Sequence, residues 1–223
     1  MANDKFFQRR KETSRDDTKR KQRTEKQKNR CLIVCEGRTT EVNYFKALYS
    51  SNTKSAKNVK VNVMPSKDGT DPMSVVHYAR KQLKITSYDA VICVFDKERD
   101  AGNHEKFKQA NEELERISKQ NKNKTIIGAG SVPCFELWFL LHFDYSDCPF
   151  SCCDEVEQAL KKKNGFEQYK KSDEDHYQKT RHKIQTAITN ATRLYKEAEA
   201  NNFDRPYTKV HLAVEHLKSL LEA

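Results

Sequence analysis

Five acids in this sequence stand where they could gather a metal ion. Glu36 ends the apolar run of "CLIVCEGRTTE", Cys31 to Glu41, and Glu41 closes that stretch. Asp96, Glu98 and Asp100 alternate in "FDKERD", directly after a second apolar run. In an extended segment, alternate residues point the same way. Hard divalent cations want several carboxylate oxygens at one place, and magnesium takes one or two carboxylates with waters and phosphate. Glu36, Asp96 and Glu98 form the candidate catalytic set, with Glu41 and Asp100 in support. All five are candidate ligands for a hard divalent ion such as Mg2+, and an ion there could activate water and hold a phosphate oxygen. Singly, each acid reads as a turn residue, and Glu41 as a favourable charge in a first helical turn. Their shared placement is what points to a metal. Gly37 permits a tight turn or a close backbone approach, so it marks where a phosphate could come near. GxxxxGK[ST] and GxGxxG are absent, which argues against a P-loop or a dinucleotide fold.

Two further polar residues interrupt the apolar stretch "SVPCFELWFLLHF", Ser131 to Phe143. A buried, unpaired carboxylate is costly, so Glu136 needs a partner: a ligand, a lysine or the substrate. His142 reads either as a general acid or base or as a hydrogen-bonded core histidine. Trp138 reads as core.

The elements that must position these groups follow from apolar periodicity. Cys31–Cys35 and Ala90–Phe95 are continuous apolar runs, as in strands covered on both faces. Val59–Met64 alternates and reads as a strand, and Lys124–Gly130 as another. Between them lie helical stripes: Val42, Phe45, Leu48 and Tyr49 after a Thr39 or Thr40 cap; Val75, Val76, Tyr78, Ala79 and Leu83 after Asp71-Pro72; then Phe107, Ala110, Leu114 and Ile117. A fourth helix is expected over 131–143, with Pro133 in its first turn. This βαβαβαβα order predicts an α/β fold, a parallel sheet with helices on both faces. Right-handed crossovers put all strand C-termini on one edge, where open α/β sheets bind ligands. After about residue 148 no strand is expected. The pattern is a short helix near Val156 and Leu160, one long helix over 177–200, and a last helix capped by Thr208. The expected division is a basic arm, 1–29, an α/β domain, 30–146, and a C-terminal helical extension, 147–223.

The 223 residues carry a net charge of +10, of which +7 falls in residues 1–30. Such an arm suits phosphate backbones, since neutralising them releases counterions; Arg9, Arg10, Lys19, Arg20, Lys21 and Arg23 are its candidate contacts. The bland reading is a solvated tail. No long apolar run and no secretory h-region is present, so the expectation is a cytoplasmic protein without a membrane span. The seven cysteines, three of them in buried strands, suggest reduced thiols rather than a disulfide framework. A zinc site on Cys148, Cys152, Cys153 and His142 lacks any CxxC pair and is not expected.

Four blocks together resemble the RloB family: "LIVCEGRTTEVNYF" (Leu32–Phe45), "VFDKERD" (Val94–Asp100), "PCFELWFLLHF" (Pro133–Phe143) and "PYTKVHLAVEHL" (Pro206–Leu217). RloB-like proteins are similar to the Toprim fold of topoisomerases, primases and OLD-type nucleases, and are linked to phage-defence loci. The resemblance implies a Toprim-like sheet whose first-strand glutamate and third-strand acidic pair bind magnesium or manganese for phosphodiester cleavage. Glu36 takes the first role, Glu41 matches the second glutamate of "EGxxTE", and Asp96 with Glu98 match the pair. The second member of that pair is Glu98 rather than Asp, with Asp100 next in line. Val132 stands where Asn is common before the proline.

The function expected is therefore a metal-dependent nuclease for RNA, tRNA included, or DNA, acting in anti-phage defence beside a partner ATPase. Oligomerisation stays open. The rival is a non-catalytic nucleic-acid-binding or assembly module on the same scaffold, whose binding would survive chelator and loss of Glu36. A nucleotidyl-transferring enzyme would show nucleotide-dependent product growth. A topoisomerase is disfavoured, because the chain leaves little room for a DNA gate.

Overall fold

The computed structural model describes residues 29–52, 58–97 and 101–222. Strands β1 (Asn29–Cys35), β2 (Val59–Pro65), β3 (Ala90–Asp96), β4 (Thr125–Val132) and β5 (Tyr207–Thr208) form one sheet in the order β2-β1-β3-β4-β5. The first four are parallel, and β5 runs antiparallel to β4. The helices are α1 (Thr40–Asn52), α2 (Pro72–Ile85), α3 (Ala101–Gln120), α4 (Glu136–Leu140), α5 (Cys153–Leu160), α6 (His176–Thr180), α7 (Ile184–Ala200) and α8 (Val210–Glu222).

The period of two along the central strands explains the layering. In β1, Cys31, Ile33 and Cys35 enter one core, and Leu32 and Val34 enter the other. In β3, Ala90, Ile92 and Val94 join the first core, while Val91, Cys93 and Phe95 join the second. Side chains alternate across a sheet, so an all-apolar strand needs cover on both sides. Val75, Val76 and Ala79 of α2 with Phe107, Ala110 and Leu114 of α3 cover one face. Val42, Phe45 and Leu48 of α1, the aromatic cluster around α4, and Val210, Val214 and Leu217 of α8 cover the other. The helices after residue 147 therefore pack on the sheet and share a core with α1. Asp71 caps α2 as expected, accepting hydrogen bonds from the Met73 and Ser74 N–H groups at 3.1 and 3.2 Å.

Four expectations change. A strand, β5, does follow residue 148: two residues are too short to show a period, and tertiary pairing alone defines it. Ser131 and Thr208 hydroxyls meet across that pair at 3.0 Å; Thr208 Oγ1 also accepts the Val210 N–H at 3.2 Å, so its capping role holds. The long helix over 177–200 is broken into α6, a 3-10 turn at Arg181–Lys183, and α7. Thr180 Oγ1 donates back to the His176 carbonyl at 2.8 Å, a bond that competes with helix continuation. The helix expected over 131–143 shortens to α4, and Pro133 precedes it behind a cis Val132–Pro133 peptide. Finally, Cys134 and Cys153 form a disulfide, whereas reduced thiols were expected throughout. Their Cα atoms lie 5.6 Å apart although 19 residues separate them, a proximity that cysteine counting does not reveal.

Candidate metal centre

The chain leaves β1 toward β2 on one side and returns to place β3 on the other. The order therefore reverses between β1 and β3, the crevice where open α/β sheets hold ligands. Cys35 pairs in register with Val94, and the Glu36 N–H continues the ladder to the Val94 carbonyl at 2.9 Å. Glu36 and Asp96 thus sit side by side at the carboxyl edge. The Glu36 Oε2 accepts the Asp96 N–H at 2.9 Å, which fixes the two relative to each other.

Glu41 and Glu136 complete the cluster from the first turns of α1 and α4. Glu41 Oε1 accepts the Gly37 N–H at 3.0 Å. Asp96 Oδ2 accepts the Phe135 N–H at 3.1 Å, so the turn before α4 is tied to the end of β3. Glu136 Oε1 accepts the Tyr169 hydroxyl at 2.7 Å and lies 3.7 Å from Lys171 Nζ, which also meets Glu157 at 3.1 Å. The Thr40 hydroxyl donates to the Lys171 carbonyl at 3.0 Å, pinning the Lys171 loop over the start of α1. The partner that Glu136 required is therefore Lys171, helped by Tyr169. Sequence reasoning asked for such a partner but could not locate it: "QYKKSDED" has no period, and its only signal is two lysines beside a buried tyrosine.

The electrostatics of this corner are unbalanced. Glu36, Glu41 and Glu136 are 9%, 6% and 3% exposed, and Asp96 Oδ1 is buried without a hydrogen-bond partner among the described residues. Burial, followed by the negative charges of Glu41, Glu36 and Glu136, pushes the Asp96 carboxyl well above the usual carboxylate range. Burial raises Glu41 as well; N–H bonds from its own backbone and Gly37 oppose this, Glu136 adds to it, and Lys171 reduces it. Burial alone would lower Lys171, but Glu136, Glu157 and Asp96 raise it. Asp96 and Glu41, whose carboxyls are buried among further acids, either hold protons or share a further cation. The donor chemistry suits a hard divalent ion, with carboxylate oxygens only, although no three of the oxygens of Glu36, Glu41, Asp96 and Glu136 lie within 4.8 Å of one another in this structure.

Several sequence candidates stand elsewhere. Glu98, Asp100 and the basic-arm residues Arg9, Arg10, Lys19, Arg20, Lys21 and Arg23 lie outside the described residues. Gly37 does make room, and in this structure the Glu41 carboxyl takes it. A Cβ there would fall 2.7 Å from Glu41 Oε1, so the missing side chain lets the Glu41 carboxyl close over the turn. His142 is the core histidine: its Nδ1 meets the Trp138 carbonyl at 2.9 Å, its ring packs edge-on against Trp138, and burial lowers its pKa to about 4. Trp138 is fully buried, as expected. Among the described residues, one group of three ligand atoms closes within 4.8 Å, from Cys134, Glu136 and Cys153. It excludes Cys148, Cys152 and His142. Its two sulfurs are bonded to each other, and metals bind thiolates, so this group is a disulfide beside a carboxylate.

The RloB-like protein family matches residues 31–217. The chain belongs to the RloB-like family. The match spans β1 through most of α8 and includes Glu36, Glu41, Asp96, Glu136 and Lys171, so this RloB-like corner lies wholly inside it. Comparison with curated proteins and with solved structures returned no match. No helix among the described residues is long and apolar enough to cross a membrane.

Proposed function

We propose that this RloB-like chain is a divalent-metal-dependent nuclease that hydrolyses phosphodiester bonds of RNA or DNA as an effector of anti-phage defence. The observation that carries the reading is Asp96 Oδ1: a buried carboxylate oxygen without a hydrogen-bond partner among the described residues, crowded by Glu36, Glu41 and Glu136 at the reversal point of the sheet. Glu36 and Asp96 would hold Mg2+ or Mn2+ with Glu98, and Glu41 and Asp100 would support them. The ion, when bound, supplies an acidified water and neutralises charge on phosphoryl oxygens. The protein's own groups prepare the place. The Asp96 N–H orients Glu36, the Phe135 N–H orients Asp96, and Gly37 lets Glu41 approach. Lys171, half-exposed beside Glu136, supplies a cation at the rim that can face a phosphate. The basic arm would hold the nucleic acid by its backbone, and the family resemblance supports a partner ATPase that restrains or triggers cleavage in the cytoplasm.

The test incubates the purified protein with a panel of RNAs, tRNA included, and DNAs, with manganese or with chelator. Cleavage is expected with manganese only and is lost in Glu36→Ala. Undiminished cleavage by that variant, or cleavage in chelator, would sink the proposal.

A further inference from the structure

Beside the acids, at the same carboxyl edge, lies a cleft of about 290 Å³. Lys97, the residue after Asp96, lines it together with His104, Pro133, Phe150, Phe203 and Arg205. Pro133 precedes by two residues the Phe135 whose N–H holds Asp96. The cleft is therefore built on the segments that carry the acidic cluster. Its size is at the low end for small-ligand sites, enough for one nucleotide unit and too little for a duplex.

The lining has, at Phe203, a feature the fold does not require. α7 ends in a left-handed turn, with Asn202 and Phe203 at φ 54° and 60°, and the Phe203 N–H returns to the Ala198 carbonyl at 2.7 Å. Glycine makes such turns without a steric penalty, and a bulky residue at positive φ is an outlier. The backbone turn explains neither the aromatic ring nor its exposure. Phe203 remains 40% exposed, one of three large exposed hydrophobics among the described residues. Tyr195 and Tyr207 pack against it at 5.8 and 5.3 Å between centroids, which fixes the ring while its remaining surface lines the cleft. Among the described lining residues, the cations of Lys97 and Arg205 outweigh the carboxylate of Asp204.

We infer that this cleft seats one unpaired nucleotide of the substrate, with its base stacked on Phe203 and its phosphate met by Lys97 and Arg205. A fixed aromatic face between cations is how single strands are held without sequence readout. A base inside a duplex cannot offer its face, so the nucleic acid cut at this edge is single-stranded there. The inference rests on the nuclease reading for its role, but its binding chemistry is separable from cleavage.

The experiment measures fluorescence anisotropy of labelled eight-residue oligonucleotides on the full chain in chelator, where no metal-dependent cleavage occurs. RNA and DNA arms are run with normal bases and with abasic residues. The wild type should bind the normal oligonucleotide about tenfold more tightly than the abasic one. Phe203→Ala should erase that difference, Phe203→Trp should keep it, and Arg205→Ala should weaken both probes alike. Either sugar meeting this expectation supports the inference and names the substrate. Equal binding of normal and abasic probes by the wild type, or a preserved difference in Phe203→Ala, would overturn it. Base-dependent binding without cleavage of any substrate in manganese would refute the nuclease and leave the stacking site. Cleavage at unchanged KM by Phe203→Ala would refute the stacking site and leave the nuclease.

Discussion

Replacing Asp96 by Asn should make the metal-free protein more stable while removing its response to metal. Oδ1, buried without a hydrogen-bond partner among the described residues, costs about 1–3 kcal/mol, the usual penalty for a buried unsatisfied polar atom, and three neighbouring carboxyls add repulsion. Asn keeps an oxygen for the Phe135 N–H at 3.1 Å. It replaces the orphan with an amide donor among carboxylate acceptors. A gain of about 1–3 kcal/mol would raise the melting temperature by about 2–12 °C in a chain of this size. The sign with pH is set by the raised Asp96 pKa. The native state holds that proton more tightly than the unfolded state, so wild-type stability falls as pH rises above the ordinary aspartate value of about 4. The stability gap between variant and wild type should widen over that range. Adding Mg2+ at a hundredfold over its Kd should stabilise the wild type by about 2.7 kcal/mol and leave Asp96→Asn almost unmoved. Differential scanning fluorimetry in chelator and in Mg2+, at pH 5 and 8, reads all of this. A variant that melts lower than the wild type in chelator, or that gains as much from Mg2+, refutes the reasoning.

Other perturbations give independent checks. Gly37→Ala should force the Glu41 carboxyl away, because a Cβ would overlap it; overpacking of this kind costs about 1–3 kcal/mol, with Mg2+ affinity falling in titration calorimetry. His142 has its pKa lowered from 6.5 to about 4 by burial, so its stabilising neutral state is lost as pH falls from about 6.5 toward 4. By pH 5 this amounts to about 2 kcal/mol, and urea midpoints of wild type and His142→Asn should converge or cross between pH 7 and 5. The Cys134–Cys153 bridge leaves five free cysteines, so thiol titration of the denatured, unreduced protein should count five, and seven after reduction.

The α/β class, the parallel core and the edge on which the acids sit were legible in the sequence alone. All-apolar runs at β1 and β3 require cover on both faces, and acids directly after them must lie at the strand ends. Asp71-Pro72 and Thr208 were legible as caps because capping is local. Tertiary structure decided what depends on groups distant in the chain. β5 is a strand only because Ser131 and β4 are there to pair with it. Cys134 finds Cys153, and Glu136 finds Tyr169 and Lys171, across loops that carry no period. What fills the space at Gly37 was also decided from outside its own turn: local geometry allowed an approach, but only the folded chain showed that Glu41 makes it. A residue's type and period are written in its neighbours along the chain. The field at Asp96 is the sum of charges brought together from three other places, and that sum exists only once the sheet has closed its order.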